Sequence, residues 1–161
     1  MAEGNIIICD ITALSIKLGF SGNLAPEVVV PIQYPLNTSE EVLNSELFEN
    51  LMGYSLKKLG VDLPKCKICI TQSPGMKRRD TLTLLNLFLN HFSIQAVGIF
   101  EEAISNAWKT ANNEASEQNP HLDFEGASLF ADLVDDPNFW INRNEYYSQG
   151  GKFGKISSQL S

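Results

Sequence analysis

Apolar positions along the chain switch between two periods, and the switches mark its elements. Ile6 to Cys9 is a short continuous apolar run, the pattern of a strand buried on both faces, and it delivers Asp10 at its carboxyl end. A second strand follows through Lys17, Gly19 and Phe20, and Glu27 to Ile32 reads as a third, β-branched and closed by proline. The period then lengthens. Leu47, Phe48, Leu51, Met52, Leu56 and Leu59 recur at helical spacing, and Gly60 ends that helix as a residue suited to a left-handed turn. Asn44 or Ser45 can cap its start, with Thr38 and Glu41 forming a competing capping box. Lys67 to Thr71 is the fourth strand. After the Ser73-Pro74-Gly75 turn a helix runs from about Lys77 to Phe92, so rich in leucine that it should pack on more than one side. Ala96 to Phe100 is the fifth strand, and Glu101 to about Lys109 a further helix.

Beyond Lys109 the pattern lapses. Positions 110–123 are polar, poor in large apolar groups and interrupted by Pro120, which predicts a linker. Apolar order returns over 124–150. Gly126 to Leu133 reads as a short helix, Asp136-Pro137 as a helix start, and Arg143 to Tyr147 as a last amphipathic turn or two. Positions 151–161 are expected to be a frayed tail. Three strands, helix, strand, helix, strand, helix predicts an α/β fold with a five-stranded mixed sheet flanked by helices. The first three strands should be antiparallel neighbours, while the last two follow helical crossovers and should run parallel.

Composition narrows the function more than the fold. Of 161 residues, 43% are hydrophobic and 19% charged, ordinary for a folded domain. Nineteen acidic residues against twelve basic give a net charge of −7, and Lys77-Arg78-Arg79 is a short solvated cluster, so no nucleic-acid partner is expected. No apolar run reaches the roughly 20 residues that span a membrane, so no membrane partner is expected. The acidic start shows no leader pattern, and three cysteines without one suggest a reducing compartment. Cys66 and Cys69 form a C-x-x-C, but no second pair completes a zinc site, and residues three apart on a strand face opposite ways. Both are read as buried structural thiols. Asp132, Asp135 and Asp136 lack the spacing of a calcium loop and are read as caps and surface, and His91 as a helix-end or surface residue.

Cys9-Asp10, Lys17, Gly19-Phe20, Gly22 and Ala25-Pro26 resemble the first phosphate-loop hairpin of the actin and actin-related protein family, whose pattern is CDNGSG-x-x-K-x-GF-x-G-x-x-AP. Tyr34-Pro35 is similar to the YPI of that family, and Lys67 to Thr71 with Pro74 to its LLTE-x-P strand. Gly126 to Ala131, Trp140, Glu145 and Tyr146 resemble its carboxyl-terminal GGS-x-LA…W-x-x-x-x-EY segment. The resemblance implies one actin-like (ribonuclease-H-like) lobe. Positions 1–109 and 124–150 would be the two parts of subdomain 1, and 110–123 a bridge standing where subdomains 3 and 4 would be. No room remains for subdomain 2 between Ile32 and Tyr34.

By the same resemblance Asp10 takes the metal-side carboxylate position, Lys17 that of the phosphate-contacting lysine, and Glu102 that of the water-positioning glutamine. The turn Ile11-Thr12-Ala13-Leu14 lacks the glycines and serine that let main chain approach a phosphate, and Ile11 and Leu14 would crowd an anion. No cofactor is therefore expected, with ATP and magnesium binding lost, no catalytic residue and no enzymatic activity. Asp10, Lys17 and Glu102 would be vestigial, serving as strand end, charge partner and first-turn helix acid. Trp108, Leu129, Phe130 and Leu133 correspond to subdomain 1's share of a hydrophobic cleft and are partner-binding candidates; the alternative for them is core packing. Trp140 and Tyr146 are read as core. The expectation is a non-catalytic structural or adaptor subunit that binds other protein subunits of a cytoskeletal assembly in the cytoplasm, with cilium and nucleus open. Two alternatives stand beside it: half of an ATP site completed by a partner chain, and a mimic of subdomain 1 that binds actin-binding proteins.

Overall fold

A computed structural model describes residues 5–11, 15–32, 46–71, 78–100, 122–134 and 137–148. Six strands form one mixed sheet in the order β3-β2-β1-β4-β5-β6. They are β1 (Ile6–Ile11), β2 (Ser15–Phe20), β3 (Val28–Pro31), β4 (Lys67–Thr71), β5 (Ala96–Phe100) and β6 (Trp140–Asn142). The α-helices are α1 (Glu46–Leu59), α2 (Arg78–Asn86), α3 (Leu122–Leu133) and α4 (Arg143–Ser148). As expected, β1, β2 and β3 form an antiparallel meander, while β4 runs parallel to β1 and β5 parallel to β4.

The expected strand count of five is corrected to six. Trp140 to Asn142 extends antiparallel to β5 with Gly98 opposite Trp140 and Ala96 opposite Asn142. Pairing explains it: β5 would otherwise present a row of unsatisfied backbone groups at the sheet edge. Pro137 does begin a helical turn, but only a 3₁₀ turn to Phe139 before the chain straightens into β6. The strand is held in place from beyond its end, where the Arg143 amide donates to the Gln95 carbonyl at 2.9 Å and the Arg143 guanidinium to the Ser93 carbonyl.

Alternation along the strands divides the core between two faces. Ile7, Cys9, Ile11, Ile68, Ile70, Val97 and Ile99 share one cluster with Phe48, Met52 and Leu56 of α1 and Leu84 and Leu85 of α2. Ile8, Cys69, Ala96 and Phe100 face the other way, against Phe124, Ala127 and Ala131 of α3 and against Trp140. Sandwiched between these layers, β1 and β4 need apolar side chains on both sides, which is why their sequences barely alternate. The outer strand β3 does alternate, with Val28 and Val30 buried and Val29 and Pro31 exposed. Proline suits this edge position because it has no amide to contribute to a ladder.

The described helices largely follow their patterns, although α3 begins at Leu122, within the expected linker, rather than at Gly126, and the expected helix over 101–109 lies outside the described residues. In α1, Phe48, Met52 and Leu56 are buried, acidic Glu46 and Glu49 open the helix, and Lys57 and Lys58 close it, matching its dipole. Gly60 ends it at φ +67°, its amide donating to the Lys57 carbonyl at 3.1 Å. The candidate caps of α1 lie outside the described residues. A further departure is in the leucine-rich helix, where α2 stops at Asn86 and one π turn continues from Leu87 to His91. The wider turn places Leu87, Phe88 and Leu89 all in the core, and the amides of Phe92 and Ile94 close it on the carbonyls of Leu87 and Phe88. This helix packs on two sides, as its leucine content predicts: against the sheet, and against α4, whose Tyr146 hydroxyl lies 3.2 Å from Asn86 Oδ1.

Candidate functional site

Parallel β1, β4 and β5 end together at one edge of the sheet, and their neighbour β2 turns back at that same edge. Ligands in open α/β sheets bind outside such carboxyl ends, where the strand order reverses. Among the described residues, the polar side chains there include Asp10, Thr71, Lys17 and Ser15. Asp10 is next to last in β1 and only 4% exposed, on the face opposite Cys9 and Ile11. Thr71 ends β4, and its hydroxyl donates to Asp10 Oδ1 at 2.8 Å within the protein. Lys17 stands directly across from Asp10 in the β1–β2 register and is half-buried. A buried carboxylate needs hydrogen bonds or an opposite charge to stay in a folded interior, and this edge supplies a hydroxyl donor and a cation in register.

Of the three expected site positions, the sheet brings Asp10 and Lys17 together, and Glu102 lies outside the described residues. Sequence reasoning missed Thr71. Its signal was available, since a hydroxyl at the end of the strand after the first crossover faces Asp10 if the two strands are parallel neighbours in the right register. Ile11 needs a correction. Expected to crowd an anion in the turn, it is the last residue of β1, pairs with Ile16, and is 6% exposed in the α1 and α2 core, on the face away from Asp10. Thr12, Ala13 and Leu14 lie outside the described residues.

The hairpin is clamped at its opposite end by α3. A methyl group on Gly19 would meet Phe124 at 2.6 Å and the Pro26 backbone at 3.2 Å, so the helix rests where a side chain would otherwise stand. Gly22, at φ +89°, donates its amide to the Ser128 carbonyl at 3.3 Å, and the Ser128 hydroxyl donates to the Phe20 carbonyl at 3.2 Å. The hairpin glycines therefore serve a helix docking and a turn.

The partner-binding candidates separate from one another. Phe130 is half-buried and stacks between Phe100 and Phe139, each 5.2 Å away between ring centroids, so its ring is used in packing. Leu129 is half-buried, and Leu133 is 71% exposed. Trp108 lies outside the described residues. Trp140 is buried against α3 and Tyr146 packs on the larger core, as read from the sequence.

The thiols offer no nucleophile. Cys66 belongs to one core face and Cys69 to the other, so the C-x-x-C pair points apart, and all three cysteines are buried and free. Burial raises the Cys9 thiol well above its ordinary range, with the charge of Asp10 and then Cys69 adding to it. Burial alone pushes Cys69 up to about 12, while Cys66 is raised by burial and then by Asp62. All three shifts favour the protonated, unreactive form. His91 holds Glu49 at 2.9 Å, both partly exposed, tying the π turn to α1. Among the described residues no three His, Cys, Asp or Glu side chains cluster as a metal site would require, and no helix is long and apolar enough to cross a membrane. No protein-family model matches the chain, and no curated protein matches it either.

Proposed function

We propose that the chain is a non-catalytic actin-related subunit, a structural or adaptor piece of a larger cytoskeletal assembly built on one actin-like lobe. The observation that carries this reading is the clamp between the amino-terminal hairpin and the carboxyl-terminal helix. Gly19 and Gly22, which carry the hairpin resemblance, meet Phe124 and Ser128, which belong to the carboxyl-terminal segment. Two motif pieces far apart in the chain thus pack as two parts of one subdomain would. A three-stranded meander followed by two parallel strands also supports the reading, although β6 is added antiparallel beyond the five strands that the resemblance implies. The finer likeness of Ala131-Asp132 and Asn138-Phe139-Trp140 is to the second actin-related protein, a subunit of the branch-nucleating complex, and it is a weaker likeness than that to the family.

The described hairpin positions beside the former loop are engaged in packing. Asp10 is engaged by Thr71 inside the sheet, and Ile11 belongs to the core. In the family resembled, ATP hydrolysis uses two phosphate loops and a metal, and Asp10 and Lys17 are the described positions that match one of those loops. The stretch 11–14 carries no glycine that would let main chain approach a phosphate, so its residues do not fit a phosphate cradle. Function would then reside in surface contacts, with Leu133 as the most exposed of the described partner candidates. Affinity capture of the full chain from native extract, followed by subunit identification, tests this. Recovery of a defined multi-subunit cytoskeletal assembly is expected; a chain recovered alone at every salt concentration contradicts it.

A second reading is favoured by the meeting of Asp10, Thr71 and Lys17 at the sheet edge where ligands bind. There the chain would be half of an ATP site, with the other phosphate loop and the adenosine pocket supplied by a partner. The two readings part on whether the captured assembly holds nucleotide that depends on Lys17.

A further inference from the structure

We draw no further inference here: the strongest candidate, the exposed apolar strip that Leu47 and Tyr54 form along the outer side of α1, carries nothing because nothing in the structure shows what covers it.

Discussion

Asp10 and Thr71 show how one hydrogen bond can hold a charge inside a sheet. The hydroxyl at 2.8 Å is one of the groups that offset the loss of water around the carboxylate. Thr71→Val keeps the shape and β-branching of the strand but removes the donor. We expect a loss of about 1–3 kcal/mol, the cost of leaving a buried polar group short of a partner. Urea unfolding of the variant measures it, and an unchanged midpoint would mean that Thr71 does not help to hold Asp10. The thiols carry a second residue-scale prediction, in pH. Cys69 keeps its proton in the folded chain up to about 12, whereas an unfolded thiol releases it near the ordinary value of about 8.5. Above that ordinary value the unfolded chain binds fewer protons than the folded one, so stability falls as pH rises, and below it the contribution is complete. By pH 10 the loss from Cys69 should reach about 1–2 kcal/mol. Unfolding curves at pH 8 and pH 10 should therefore converge in Cys69→Ala relative to the parent chain; an equal drop in both removes the thiol as the cause.

Between elements, α3 meets the hairpin at Gly19, where an added Cβ would collide with Phe124. Gly19→Ala forces a methyl group toward Phe124, and we expect it to destabilise by about 1–3 kcal/mol. Because one contact carries the effect, Gly19→Ala combined with Phe124→Leu should cost less than the two changes summed. Additive losses in denaturant unfolding would place the strain elsewhere. The elements also show what the sequence reveals and what it hides. The meander, the crossovers and the leucine-rich helix were readable because each rests on a local period or a short connection. Trp140 to Asn142 was hidden for a physical reason: three residues carry too little pattern to declare a strand, and only the open edge of β5 makes them one. The π turn at Leu87 was hidden likewise, since its stripe remains apolar whichever turn is used. At the candidate site Asp10 and Lys17 were legible from the hairpin, but Thr71 depended on the β1–β4 register, which no local pattern states. Ile11 was misassigned to the turn because strand ends are set by pairing, here with Ile16, rather than by composition.

For the molecule as a whole, the described hairpin and α3 pack on each other through Gly19, Gly22, Phe124 and Ser128. Nucleotide content tests the scaffold reading most directly. The assembly captured with the full chain would be equilibrated with millimolar magnesium and ATP, desalted and assayed for bound nucleotide, in parent form and as Lys17→Ala. The account predicts that any nucleotide recovered is the same in both preparations, because it belongs to other subunits. A loss of one nucleotide per chain on Lys17→Ala, with subunit composition unchanged, would contradict it and establish the shared half-site instead.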